Sequence, residues 1–332
     1  MQSPLKGKRV LFFAPAFFNY EKLIANKIKE LGAEVDLYDE RSINSAWERA
    51  VLKVIPFVFC KKTETYYKSI IKENIDKDYD YILIIKGEMV TKKIISTLRE
   101  VFPNARMCLY LYDSVNNVPG IAKKFFLFDS ISSFDLKDCE QYATLKFRPL
   151  FFADQFRTKV KTEKKFKYDI SFIGTIHSDR YSIIKKVDAF AKNSNLSTFW
   201  YLYLQSKFIF YFYKLTKKEF RNVQIDTFMF DKMSVDSISK IVDDTKVVLD
   251  VQHPKQTGLT MRTIEMIGMN KKIITTNDSI KRYDFYDPGN IAIISRKDVD
   301  IPEGFFENDF RPIPEEIYEN YSLDRWVLEV LN

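Results

Sequence analysis

Along this chain, short continuous apolar runs alternate with stretches in which apolar residues recur every three or four positions. Arg9–Ala14 is a continuous, mostly apolar run, as a strand covered on both faces requires. Tyr20–Leu31 follows with Leu23, Ile24, Ile28 and Leu31 at helical spacing, and Gly32 stands where that helix must stop. Glu34–Tyr38, Tyr81–Ile85 and Arg106–Tyr112 read as further strands, and Leu127–Ser132 and Lys146–Leu150 as shorter ones. Helices are predicted over Ala46–Asn74, Thr91–Val101 and Leu136–Tyr142. The rhythm breaks in Ala153–Lys167, where Asp154, Arg157, Lys159, Lys161, Lys164 and Lys165 leave almost no apolar pattern and predict a solvated linker.

After that break the alternation restarts. Tyr168–Ile173 is a strand ending in Gly174-Thr175, and Thr198–Leu204, Lys246–Val251, Lys272–Thr276 and Ile291–Ser295 are strands. Ser182–Ala191, Val235–Val242 with Ser234 as its cap, and Leu259–Met269 are helices. Glu315–Leu331 is helical in pattern after Pro312 and Pro314. Strands alternating with helices predict an α/β protein with parallel, doubly wound sheets. The expected division is residues 1–152, a linker at 153–166, a second domain at 167–313, and a terminal helix at 314–332 that packs back on the first domain.

Length and composition fit this division. The chain has 332 residues, enough for two domains, and its 46% hydrophobic content gives each a core. A net charge of +7 favours anionic partners. Cys60, Cys108 and Cys139 show no paired spacing, which suits a reducing compartment. His177 and His253 lack cysteine or glutamate at ligand spacing, so no metal site is expected, and no cofactor. Met1–Lys8 is polar and leads directly into a strand, so no leader peptide is expected. The aromatic run Phe199–Tyr213 is interrupted by Gln205, Ser206 and Lys207 and is shorter than the ~20 residues that span a bilayer. The expected location is the cytoplasm, with the inner face of the cell membrane within reach.

The segment richest in candidate chemistry is Gln256–Glu265, between a strand and the next helix. Helix N-termini attract anions, and Gly258 lets a phosphate approach the backbone. Arg262 lies one turn in, where it can bond a diphosphate, and Glu265 lies further along, where a carboxylate can accept both hydroxyls of a ribose. Asn270 stands where the helix must end, as a left-handed cap. By pattern alone the segment also reads as an ordinary amphipathic helix with a surface glutamate.

The stretch Gly258–Asn277 resembles the donor-binding helix and following strand of GT-B glycosyltransferases, especially those of bacterial capsular and lipopolysaccharide synthesis. Lys8–Ala14, Phe17-Phe18-Asn19-Tyr20 and Glu34–Arg41 are similar to that group's first β-α-β unit. Tyr110–Ser114 resembles its fourth strand and turn, and Tyr168–Thr175 the opening strand of its second domain. The resemblance implies two Rossmann-like domains facing a cleft, with an acceptor domain first and a donor domain second. It implies that Glu265 binds the ribose and that Gly258, Leu259 and Thr260 bind diphosphate through the backbone. The donor is expected to be a nucleotide sugar, with UDP the leading nucleotide, and the acceptor a glycan or lipid-linked glycan.

Many retaining members of that group carry a second acid eight positions before the ribose glutamate; here Thr257 stands there, which opens an inverting mechanism. Such a mechanism needs a general base. Glu88 and Asp113, each just after a strand, are the candidates, although both also read as turn or capping acids. Gly174, Thr175 and Arg180 follow the first strand of the second domain and, with Lys255, are candidates for the donor phosphates. His177, in the same loop, reads as a surface histidine. Two aromatic-basic stretches, Val54–Lys68 and Phe199–Arg221, suit either an anionic bilayer surface or core packing.

Other classes fit less well. Ala14-Pro15-Ala16 replaces the glycine fingerprint of nicotinamide enzymes, and no Walker loop or nucleic-acid module is present, so nucleic acid is not an expected partner. The alternative from a different class is a non-catalytic nucleotide- or sugar-binding protein on the same fold.

Overall fold

The computed structural model describes residues 3–17, 19–42, 60–158, 165–254 and 257–332. The chain divides into two compact units, Met1–Leu150 with Ser322–Asn332, and Phe151–Tyr321.

The first unit is a six-stranded parallel sheet. Its strands are β1 (Arg9–Ala14), β2 (Glu34–Asp39), β3 (Tyr81–Ile85), β4 (Arg106–Leu111), β5 (Ser130–Ser133) and β6 (Lys146–Phe147), in the order β2-β1-β3-β4-β5-β6. Val10 to Phe13 and Ile82 to Ile84 are fully buried, as strands covered on both faces must be. The helices are α1 (Tyr20–Glu30), α2 (Cys60–Glu73), α3 (Lys92–Val101) and α4 (Leu136–Gln141). Thr91 caps α3 by accepting from the Ile94 N–H, and Gly32 ends α1 at φ 101°, in the left-handed region. Of the expected helix Ala46–Asn74, only the part from Cys60 lies among the described residues.

The second unit is a five-stranded parallel sheet of β7 (Tyr168–Thr175), β8 (Thr198–Tyr203), β9 (Thr245–Asp250), β10 (Lys272–Thr275) and β11 (Ile291–Ile293), in the order β11-β10-β9-β7-β8. Its helices are α5 (Arg180–Asn193), α6 (Lys207–Thr216), α7 (Val235–Asp243), α8 (Met261–Gly268) and α9 (Glu315–Asn320). In both sheets the strand order reverses beside the first strand, between β1 and β3 and between β7 and β9. Open α/β sheets bind ligands outside the carboxyl ends of strands at such reversals.

Three elements differ from the sequence reading. Residues 153–158 are not a solvated stretch: Ala153 and Phe156 are buried, and the Thr158 N–H donates to the Gly268 carbonyl. The tail is two helices, α9 and α10 (Leu323–Leu331), because Ser322 starts a new helix by capping Arg325 N–H. Helix α9 lies in the second unit, where Tyr318 donates to the Gly268 carbonyl at 2.7 Å. Helix α10 lies in the first, where Trp326 is fully buried with its ring 4.7 Å from that of Tyr110. Finally, Lys207–Thr216 is a helix that the interrupted aromatic run hid.

Candidate functional site

In the second unit, the loops after β7, β9, β10 and β11 converge at the carboxyl edge of the sheet. The loop after β9 leads to α8, whose cap is Thr260 rather than a residue of the helix proper; its hydroxyl accepts from the Thr263 N–H at 3.2 Å. Thr263 in turn donates to Asp250, the last residue of β9, at 2.6 Å, so the helix start is fastened to the strand end. Asn277, after β10, donates to the Thr257 carbonyl at 3.3 Å and fixes the approach to Gly258. The far end of α8 closes as the sequence suggests: Asn270 has φ 52°, its N–H reaches the Ile267 carbonyl, and that of Lys271 reaches Met266.

Around this helix start stand three arginines. Arg180 donates to the carbonyls of Val251 and Thr175, bridging the loops after β9 and β7. Burial, reinforced by Arg262 and Arg296, pushes its guanidinium below the ordinary value against the pull of Asp250. Arg296, just past β11, is held by Asp179 at 2.7 Å and by the Gln252 carbonyl at 2.8 Å. Arg262 Nη1 lies 3.7 Å from Glu265 Oε2 and, among the described residues, has no hydrogen bond although it is shielded from solvent. Glu265 is only 4% exposed, which excludes the ordinary surface glutamate. Gly174 is packed tightly: a Cβ there would lie 2.9 Å from the Phe172 ring. Lys255 lies outside the described residues.

His177 is not a free surface histidine. Its ring is 5.5 Å from that of His253, and its Nδ1 is 3.3 Å from the Ser178 hydroxyl. Burial, with Arg180, His253 and Lys217 adding to it, pushes its pKa down to about 4, so the imidazole is neutral at physiological pH.

In the first unit, the two candidate bases come together. Lys86 Nζ is 3.0 Å from Glu88 and 3.8 Å from Asp113, so one cation serves both carboxylates at the ends of adjacent strands β3 and β4. Asn117 also donates to Asp113 at 2.8 Å. The loop carrying Glu88 turns through two left-handed residues, Lys86 at φ 74° and Gly87 at φ 66°. It is held from beneath by two buried groups. Lys124 donates to the Gly87 and Val90 carbonyls at 2.7 and 2.8 Å, and Glu40 accepts from the Met89 N–H at 2.6 Å. Burial pushes Glu40 up to about 8 and Lys124 down to about 8. Among the described residues, the other carboxylate oxygen of Glu40 has no hydrogen bond.

Sequence reasoning missed Lys86, Glu40, Lys124, Asp250 and Arg296. Asp250 carried a signal, as a polar residue closing an apolar strand; Arg296 carried none, being far from Arg180 along the chain.

No protein-family model matches this chain, and no curated protein is similar to it in sequence. Solved structures do match over almost its whole length. The lipopolysaccharide outer core galactosyltransferase WaaB aligns at TM-score 0.55 and 11% identity, covering 97% of this chain and 98% of that one. Sucrose-phosphate synthase from Thermosynechococcus elongatus aligns at 0.62 and 8% identity, with 97% of each covered. Anabaena HepE, solved in complex with UDP-glucose, aligns at 0.60 and 10% identity, covering 97% and 98%. The chain has the GT-B glycosyltransferase fold. At such identities the likeness is one of fold.

Proposed function

We propose that this chain is a glycosyltransferase. The second unit binds a nucleoside-diphosphate sugar, with UDP the leading nucleotide, and the first unit supplies the base for a glycan or lipid-linked glycan acceptor in bacterial surface polysaccharide synthesis. The observation that carries this reading is the meeting of Arg180, Arg262 and Arg296 with the start of α8 and the buried Glu265, at the strand-order reversal of the second sheet. Fixed guanidinium groups and a helix start suit a diphosphate, and a buried carboxylate suits the two hydroxyls of a ribose. The fold likeness to HepE, solved with UDP-glucose, and to WaaB supports the substrate class.

In the proposed reaction an acceptor hydroxyl oxygen bonds to the anomeric carbon of the donor sugar. The bond from that carbon to the diphosphate oxygen breaks, and its electron pair leaves with the diphosphate. The acceptor proton passes to Glu88 or Asp113. The arginines take up the charge that develops on the diphosphate, the largest electrostatic demand of the step. They make the proposed transfer independent of a divalent ion, so EDTA should leave turnover unchanged. With Thr257 in place of a second acid, an inverting transfer is open to this site beside a retaining one.

A thermal-shift screen against UDP, GDP, dTDP, CMP and their sugars tests the donor site. One nucleotide and its sugar should stabilise the protein, and the sugar should be turned over with an acceptor mixture. No stabilisation by any of them sinks the reading. Stabilisation without turnover would support a binding protein instead.

A further inference from the structure

Helix α6 carries a surface that the proposed reaction does not use. Its cap is Ser206, which accepts from the Ile209 N–H at 3.3 Å. One face of the helix is core: Phe210 is 1% exposed, with its ring 5.6 Å from that of Phe228, and Tyr213 lies 5.1 Å from Phe220. The other face is apolar and uncovered. Phe208, Tyr211, Phe212 and Leu215 are 78%, 56%, 53% and 83% exposed. They recur at the i, i+3, i+4, i+7 spacing of a single helical stripe. Isolated exposed hydrophobics need no explanation, but four bulky ones on one short helix do.

The surroundings of the stripe say what covers it. From Lys207 to Arg221 the chain has five basic residues, Lys207, Lys214, Lys217, Lys218 and Arg221, against one acid, Glu219. Lys214 and Lys217 are engaged with the Val223 and Ser178 carbonyls. Lys207, Lys218 and Arg221 are exposed, and among the described residues they form no ion pair. An apolar stripe edged by uncompensated cations matches a bilayer with anionic headgroups, where the rings enter the acyl boundary and the cations stay at the phosphates. No described helix is long and apolar enough to cross a membrane.

We propose that the exposed face of α6 docks this protein on the surface of an anionic membrane. The other aromatic-basic stretch does not share this role in its described part: Tyr67 is fully buried, and Tyr66 and Tyr67 donate to the Asp39 and Glu40 carbonyls. The docking surface does not depend on the nucleotide site and can be tested apart from it.

Flotation with phosphatidylglycerol-rich vesicles is the test, beside neutral phosphatidylcholine vesicles. The parent should rise with the anionic vesicles at low salt, and much less with neutral ones or at high salt. The triple variant Phe208→Ser, Phe212→Ser, Leu215→Ser should lose at least about tenfold in partitioning. The variant Lys207→Glu, Lys218→Glu, Arg221→Glu should lose the preference for anionic lipid. Circular dichroism and the nucleotide thermal shift of both variants should match the parent, which separates this surface from the donor site. A parent that stays down with anionic vesicles at low salt, or a triple-serine variant that floats like the parent, overturns the proposal. So does a parent dimer in light scattering that the serine variant abolishes without any vesicle binding, because the face would then join two copies.

Discussion

The carboxyl edges of the two sheets are built alike but furnished with different charged groups. Each lies at a strand-order reversal and presents loops from adjacent strands. In the first unit, two carboxylates share a single lysine, Lys86, so the edge is acidic. In the second, three arginines stand about one helix start, and the nearby acids Asp179, Asp250 and Glu265 are engaged with Arg296, Thr263 and Arg262 in turn. On the proposed reading, one α/β frame is divided in labour: the first edge accepts a proton and the second holds an anion. The same opposition extends beneath the loops. The first edge rests on a buried acid, Glu40, whose pKa is pushed up to about 8, and the second contains a histidine pushed down to about 4.

The sharpest way to break this comparison is to remove the acids of the first edge. Glu88→Ala and Asp113→Ala should both retain nucleotide binding, and one of them should lower transfer by about 10²–10⁴-fold, the usual contribution of a general base. Single-turnover assays beside nucleotide titrations check this. If both variants turn over like the parent, the first edge is not the source of the base.

Glu40 gives the next largest effect, read as stability. Its folded pKa of about 8 is raised above the unfolded value, so its contribution is fully present below about pH 4.5 and is lost as pH rises through about 8. The parent should lose up to about 5 kcal/mol over that window, at ~1.4 kcal/mol for each of roughly 3.5 pH units. Glu40→Gln keeps an acceptor for the Met89 N–H but cannot ionise, so urea midpoints of the variant should change much less over the same window. Parallel pH curves for parent and variant would show that Glu40 is not the acid responsible.

The loops under comparison were unevenly legible in the sequence. The α8 segment was readable because its features are local: a glycine before the helix, a carboxylate nearly two turns on, and an asparagine at the stop. Strands β1, β3 and β4 were readable because double-sided burial writes a continuous apolar run. Arg296 was not, because its partners are brought near by strand order, and neither was the reach of Lys86 to Asp113, which a left-handed turn and the pairing of β3 with β4 supply. Helix α6 was missed for a different reason. The aromatic content is alike on both sides of the polar break Gln205-Ser206-Lys207, so nothing but the Ser206 cap marks the second side as a helix.

Glu265→Ala sharpens the second edge. Loss of a buried, charged hydrogen-bonding partner costs about 1.5–3 kcal/mol, or roughly one to two decades in affinity. Nucleoside-diphosphate binding by calorimetry should weaken by that much. Alanine suits a helix interior, but Arg262 loses its nearest carboxylate, so the melting temperature without ligand should be recorded alongside. An unchanged affinity for every nucleotide would remove the main support for the donor assignment.

The smallest expected effect concerns His177, and it reverses the sign found for Glu40. Its folded pKa of about 4 lies below the unfolded value of 6.5, so its contribution is present above pH 6.5 and is lost as pH falls through about 4. Burial is the first cause and the neighbouring cations add to it, so a charged imidazole is opposed by the same arginines proposed to hold a diphosphate. His177→Asn leaves a polar side chain that cannot become cationic. Stability at pH 7 should be nearly unchanged. Between pH 6.5 and 4 the variant should be spared about 1–2 kcal/mol of the acid-side loss, the full shift being reduced because solvent screens the half-exposed ring, read from urea midpoints. Between pH 6.5 and 8, where the imidazole is already neutral, nucleotide affinity of the parent should show no titration from this residue, and the His177→Asn variant should give a parallel profile. A step in the parent within that range that disappears in the variant would mean that His177 titrates near neutrality, and the second edge would be less positive than the three arginines make it.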